Sequence, residues 1–190
     1  MKTFAALSDG TFIENPRFYR TDEKALAKAS RKQAKTKKRS RKRRKANKVL
    51  ARIHERIRNR RHNFCHQNAR RLVNRFGLIA VEKLNVKNML GNRCLAKSIS
   101  DAAWSQFRSV LVQKAESAVN REVVECNPAY TSQDCSGCGY RPDGKEGRTK
   151  KKLSDRWHLC PMCGLSLDRD TNAAVTILAL GRQCLAAVSA

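Results

Sequence analysis

The sequence predicts a mixed α/β fold carrying a cysteine-rich insert, and three observations lead there. A short apolar run at Leu78–Val81, a helical periodicity after it and a second short run at Glu122–Cys126 succeed one another as strand, helix and strand. Such a succession implies a sheet with a helix crossing over it. Before the first run, apolar residues recur every three to four positions over a long stretch, as in amphipathic helices. After the second run, two Cys-x-x-Cys pairs mark an insert with a Cys-, Gly- and charge-rich texture.

Each element follows in order. "TFAALSDGTFIENP" reads as a β-hairpin: Thr3–Leu7 is a strand, Ser8-Asp9-Gly10 supplies the turn, and Thr11–Ile13 returns. From about Thr21 to Phe76, the residues Leu50, Ile53, Ile57, Phe64, Ala69, Leu72 and Phe76 place one stripe toward a core. Two antiparallel helices are expected here, joined somewhere within "SRKQAKTKKRSRKRRKANK". Like charges packed so densely oppose helix formation, so part of that stretch is expected to order only on a ligand. Leu78–Val81 follows Gly77 as a continuous apolar run, typical of a strand buried on both faces, and ends on Glu82. "SISDAAWSQFRSVLVQKAESAV" is a helix with Ser100 or Asp101 as N-cap and Trp104, Phe107, Leu111, Ala115 and Ala118 on one face. Glu122–Cys126 is a strand that Pro128 closes. "DRDTNAAVTILALGRQCLAA" is a final amphipathic helix. The expected divisions are a residual hairpin over 1–20, a basic helical hairpin over 21–76, a strand-helix-strand core over 77–128, a four-cysteine module over 129–166 and a closing helix over 167–190.

Charge narrows the function. Among 190 residues, 41 are Lys or Arg and 16 are Asp or Glu, a formal net charge of +25. A compact domain with that excess repels itself and calls for a polyanionic partner, for which nucleic acid is the usual one. An acidic membrane surface is the rival, but no apolar stretch is long enough to span a bilayer. The opening apolar run is too short for a signal peptide. A cytoplasmic location is expected, where thiols stay reduced, so the eight cysteines read first as metal ligands or buried residues. The expected phosphate contacts are Arg31, Lys32, Lys35, Lys37, Lys38, Arg39, Arg41, Lys42, Arg43, Arg44, Lys45 and Lys48. The ordinary alternative is a solvated or targeting-like basic segment.

Cys135, Cys138, Cys160 and Cys163 have the spacing of a zinc site. Two intervening residues let both thiolates of one turn face a tetrahedral ion. Gly139 and Gly164 let the backbone curl so that its N–H groups approach the sulfurs. Four thiolates leave no open coordination position, so Zn²⁺ here is structural and activates no water. His158 is surplus to a complete site and is expected at the surface or beside the ligands. Cys65, Cys94, Cys126 and Cys184 read as buried or incidental.

Two carboxylates stand out by position. Glu82 ends a strand, where its ordinary reading is a solvated residue. Asp170 heads the last helix, where its ordinary reading is the N-cap. Taken together, a carboxylate at a strand end and another at a helix head is the way RNase H-like nucleases assemble a metal site. Hard Mg²⁺ wants oxygen ligands, and a pair of such ions clamps the attacking and leaving oxygens of a phosphodiester.

At these residues the sequence resembles a known family. "VEKLNVKNML", "SISDAAWSQFRSVLVQKAE", "TSQDCSGCGYR", "WHLCPMCG" and "DRDTNAA" occur in the order and spacing of the TnpB (also called OrfB) proteins of insertion sequences. These are described as transposases or transposase accessory proteins and are ancestral to type V CRISPR effectors. The resemblance implies a partial RNase H-like (RuvC-like) fold with a zinc ribbon inserted before the last helix. By position, Glu82 matches the second catalytic carboxylate of the family and Asp170 the third, with Asp170 preferred to Asp168 because it lies two before the Asn of "NAA". Cys135, Cys138, Cys160 and Cys163 match the zinc ligands, and Asn172 is implied to support the geometry of Asp170.

The family's first catalytic aspartate lies in a Gly-x-Asp-x-Gly strand end expected just before Met1, together with the modules that grip guide RNA and target DNA. Asp9 is no substitute, because it falls in the hairpin turn. The expectation is therefore a transposon-associated, zinc-binding protein resembling the C-terminal half of an RNA-guided DNA endonuclease. Its expected partners are DNA and a guide RNA, with no membrane, and its catalytic ion is Mg²⁺. The alternative is a nuclease-dead DNA- or RNA-binding regulator, or a gene fragment without function.

Overall fold

Residues 3–142, 151–152 and 154–188 are described by the structure, a computed structural model. The elements run β1 (Thr3–Ala6), β2 (Phe12–Glu14), α1 (Phe18–Ala34), α2 (Arg41–Arg75), β3 (Leu78–Glu82) and α3 (Val86–Met89). They continue α4 (Ala96–Ala102), α5 (Trp104–Glu116), β4 (Glu122–Cys126), β5 (Trp157–Leu159), β6 (Ser166–Asp168) and α6 (Arg169–Val188). The chain forms two compact units. One comprises Met1–Asn15, Phe76–Asn85 and Ala118–Ala190; the other comprises Pro16–Arg75 and Val86–Ser117.

The first unit holds all six strands, paired two by two. β1 and β2 form the expected antiparallel hairpin. Asp9 makes its turn by accepting hydrogen bonds from the Thr11 N–H (2.9 Å) and hydroxyl (2.6 Å), while Gly10 sits at φ 81°. β3 and β4 pair in parallel, with Leu78 opposite Glu122 and Glu82 opposite Cys126. The apolar run of β3 predicts burial on both faces, yet all five of its residues are half-buried. α6 packs on both strands. Gly181 permits the contact, because a Cβ there would lie 2.6 Å from the Ala80 Cβ. One turn earlier along α6, the Ile177 carbonyl faces the Cys126 thiol at 3.7 Å. Gly181 and Ile177 both lie against Cys126, and Gly181 also against Ala80, so this part of α6 covers the β3–β4 pair.

The second unit is helical. The basic stretch folds as the end of α1, a turn over 35–40 and the start of α2, so both halves of it are helical. Arg43 closes the turn by donating to the carbonyls of Gln33 (3.0 Å) and Thr36 (3.1 Å). Ser40 caps α2 through its hydroxyl, which accepts the Arg43 N–H at 3.1 Å. Ala69, Val73, Cys65 and Leu111 are almost wholly buried where α2 meets α5.

The expected single helix over residues 98–119 is two helices. Ala103 adopts a left-handed conformation (φ 56°) and separates α4 from α5. Asp101 therefore lies inside α4 and caps neither helix. Its carboxylate is 5 % exposed and accepts from the Tyr19 N–H (2.8 Å), the Arg20 N–H (3.3 Å) and the Arg61 guanidinium (2.8 Å). It thus supplies, from another helix, the cap that Arg17 does not give α1. Asp22 similarly accepts from Arg56 and, at 3.4 Å, from Arg60.

Replacing Asp101 by Ala strands the Arg61 charge and two helix N–H groups together. Removing one partner of a buried ion pair costs about 3–5 kcal/mol. Urea unfolding of Asp101→Ala followed by helix circular dichroism is expected to show a loss of that size. A loss under 1 kcal/mol would remove Asp101 as the cap of α1.

Candidate metal centre and carboxylate site

The four cysteines of the insert converge. Their sulfurs all lie within 4.8 Å of one another, with Cys135–Cys163 and Cys138–Cys160 each at 3.6 Å. Zn–S bonds of about 2.3 Å in a tetrahedron place sulfurs about 3.8 Å apart, so the cluster fits a zinc ion. Two turns of the same design build it. In the first, the Cys135 N–H donates to the Tyr140 carbonyl and the Gly139 N–H to the Cys135 carbonyl, both at 2.9 Å. In the second, the Cys160 N–H donates to Leu165 (2.9 Å) and the Gly164 N–H to Cys160 (3.0 Å). Gly139 (φ 73°) and Gly164 (φ 72°) occupy the left-handed region that each turn requires.

The surroundings ionise the thiols unequally. Burial pushes the Cys160 thiol up, but the N–H groups of Cys163 and Met162 and the nearby sulfurs outweigh it and bring it down to about 6. For Cys138 the Tyr140 backbone favours the thiolate, yet burial and the three other sulfurs push it up to about 12. A metal must displace the protons that remain, so its affinity falls as pH falls. His158 is neither on the surface nor hydrogen-bonded: it is 2 % exposed, and neither ring nitrogen has a partner among the described residues. Burial, with Lys151 beside it, lowers its pKa and favours the neutral ring.

The segment after β4 ties this cluster to the strands. Thr131, 2 % exposed, directs its hydroxyl at Glu82 Oε1 (2.9 Å). Gln133 and the Lys151 backbone exchange two hydrogen bonds, of 2.9 and 3.1 Å. Asn172 on α6 is fully buried; it accepts the Ser136 N–H (3.0 Å) and donates to the Asp134 carbonyl (2.7 Å). Asn172 thereby bonds α6 to the first cysteine turn, and its hydrogen bonds do not run to Asp170.

At the head of α6 the two aspartates divide their tasks. Asp168, not Asp170, is the N-cap: its Oδ1 accepts the N–H groups of Asp170 (2.8 Å) and Thr171 (3.1 Å). Asp170 sits in the first turn with its side chain 46 % exposed, and Arg169 approaches it at 3.5 Å. Asp170 precedes Ile177 by seven residues, about 10 Å along the helix.

Of the expected phosphate contacts, Arg31 and Lys32 end α1. Lys35, Lys37, Lys38 and Arg39 lie in the turn, and Arg41, Lys42, Arg43, Arg44, Lys45 and Lys48 open α2. All are exposed except Arg43, which is half-buried by its turn-closing role. Exposed Arg52 extends the row Arg41, Lys45, Lys48 at helical spacing. The signal was present as a period of three to four residues. Among the described residues no helix is long and apolar enough to cross a membrane.

Known proteins share these features. Residues 1–93 match the family profile described as "Probable transposase" (OrfB of IS605), and residues 104–177 match the Cas12f1-like TNB domain. A "Putative RNA-guided DNA endonuclease" of Streptomyces pristinaespiralis is 40 % identical over 180 residues, 94 % of this chain and 43 % of that protein. InsQ of Escherichia coli (strain K12), described in the same words, is 31 % identical over 197 aligned positions, 96 % of this chain and 47 % of its own length. The chain is similar to the TnpB/OrfB proteins over nearly all its length. It spans about half the length of these TnpB/OrfB relatives. A cryo-EM structure of a Cas12f1–sgRNA–target DNA complex shares the fold over 88 % of this chain and 43 % of its own, with a TM-score of 0.59 at 18 % identity.

Removing the metal tests how far the fold around the cysteines depends on it. Chelation is expected to speed amide hydrogen exchange over residues 131–142 and 157–175, leaving α2 as slow as before, as read by mass spectrometry. Unchanged protection over both segments would show that the thiols need no ion.

Proposed function

We propose that this chain is the nuclease portion of an RNA-guided DNA endonuclease of the TnpB/OrfB type, with an RNase H-like (RuvC-like) site built on β3 and α6. The observation that carries the reading is the division of labour at the head of α6. With Asp168 holding the cap, Asp170 is left half-exposed in the first turn of α6, free to serve beside Glu82 in the proposed site. The two carboxylates are hard oxygen donors and suit Mg²⁺. When bound, such ions would stabilise charge on the attacking and leaving oxygens of a phosphodiester. In this reading Glu82 and Asp170 hold the ions, and Asn172 keeps α6 seated on the cysteine turn. The zinc-filled cluster, inserted as a ribbon before α6, keeps that turn folded.

The basic face of α1 and α2 is the proposed nucleic-acid surface, with the phosphates of target DNA and guide RNA as its ligands. The relatives' descriptions support that choice, as does a row of exposed cations whose positive charge the fold leaves largely unpaired. Lys45→Glu, Lys48→Glu and Arg52→Glu together are expected to flatten the salt dependence of DNA binding. The log–log slope should lose about 0.9 for each duplex phosphate contact removed. A slope unchanged by the triple substitution would overturn this surface.

The carboxylate count bears on what residues 1–190 can do by themselves. Residues 1–190 contain no Gly-x-Asp-x-Gly to match the family's first catalytic aspartate. The isolated chain is therefore expected to bind DNA and cut it very slowly in Mg²⁺. Robust Mg²⁺-dependent cleavage, abolished by Asp170→Ala, would overturn that expectation.

A further inference from the structure

We infer that Thr131 is a positioning residue for Glu82, presented to it by a brace made of Tyr130, Asp134 and Arg141. Thr131 is buried, and its hydroxyl lies 2.9 Å from Glu82 Oε1 and 3.1 Å from the Pro128 carbonyl. No other hydrogen bond to the Glu82 side chain occurs among the described residues. The single hydroxyl proton has two acceptors within reach, and when it goes to the nearer, Glu82 Oε1, it restrains the rotation of that carboxylate. A carboxylate at the end of a long, flexible side chain needs such a partner to act as a metal ligand.

The backbone that presents Thr131 is strained, and the strain is held. Tyr130 has φ 66°, an uncommon conformation for a residue with a bulky side chain. Its carbonyl accepts the N–H groups of Gln133 (2.8 Å) and Asp134 (3.0 Å). The Arg141 guanidinium stacks over the Tyr130 ring at 4.2 Å and forks onto both Asp134 oxygens at 2.6 Å each. Ring, guanidinium and carboxylate thus clamp both ends of the turn that carries Thr131. Asp134 adjoins Cys135, so the brace is continuous with the first cysteine turn.

This inference rests on Glu82 being a metal ligand, and the experiment separates the two. Mn²⁺ is titrated into the zinc-loaded chain, and the loss of its free-ion spin-resonance signal gives the affinity. Thr131→Val is nearly isosteric and lacks the hydroxyl; it is expected to weaken Mn²⁺ binding roughly tenfold or more, the usual effect of losing a partner behind a ligand. Thr131→Ser restores the hydroxyl and is expected to restore the affinity. Arg141→Ala, which touches neither Thr131 nor Glu82, is expected to weaken binding in the same direction. Zinc content and the urea midpoint report whether each variant folds, and Arg141→Ala carries the test if Thr131→Val does not. Glu82→Gln is the control. If it abolishes Mn²⁺ binding while folded Thr131→Val and Arg141→Ala bind as the parent does, the positioning role is refuted and Glu82 stands as a ligand. If Glu82→Gln itself binds Mn²⁺ normally, the carboxylate site falls, and the positioning role with it.

Discussion

Four sulfurs held within 4.8 Å of one another impose a condition that the strand-bearing unit is built to meet. Thiolates so close repel strongly unless a cation sits among them, and thiols so close hold their protons unequally, as Cys160 and Cys138 do here. The backbone supplies the two cysteine turns, each relying on a glycine where a side chain would be strained. The rest of the unit is attached to those turns. Asn172 bonds α6 to the first of them, and β5 and β6 lead into and out of the second. Thr131 joins the neighbouring segment to the end of β3. Glu82 and α6, which carries Asp170, are both bonded to the segments that lead into this cluster.

β1 to β4 and the helical hairpin were legible because their signals are local, whereas the three-residue strands β5 and β6 carry no such signal within the cysteine-rich insert. An apolar run of strand length after a glycine gives β3, and the turn at Ser8–Gly10 gives the hairpin. Where the sequence misled, the deciding contact came from far along the chain. Asp101 has the look of a helix cap and is one, but for α1, some eighty residues away. Nothing in "SISDAAW" announces that Ala103 will turn left-handed and divide the helix. Asp168 and Asp170 are indistinguishable by composition. Only the N–H groups of the first turn of α6 choose between them. The apolar run of β3 promised two covered faces, whereas its residues end half-buried. His158 was assigned by its surplus to the zinc ligands, and its burial depends on packing that no spacing rule reveals.

In the helical unit, the few acidic residues are used where they have most effect. Asp22 serves Arg56 and Arg60, Asp101 serves Arg61, and Glu23 takes Lys97 at 2.5 Å. Each pair joins different helices, so the acids hold the bundle together and neutralise the cations nearest its interior. Arg41, Lys45, Lys48 and Arg52, on the outward side of α2, receive no such partner among the described residues. A chain of net charge +25 thereby becomes internally balanced at its helix contacts and strongly positive on one exposed row. Composition gives the total; only the pairing gives its distribution.

Gly181 makes the α6–sheet contact a fulcrum. At that point the helix rests on Ala80 with no side chain between them, and Asp170 stands eleven residues away toward its N-terminus, which Asn172 holds to the first cysteine turn. Over the roughly 16 Å that eleven residues span, a tilt of about 5° would carry Asp170 about 1.4 Å. Displacements of that order cost an enzyme about a hundredfold in rate when they misplace a reacting group. A glycine packed two residues before Glu82 on β3 thus governs how precisely the proposed site could place Asp170.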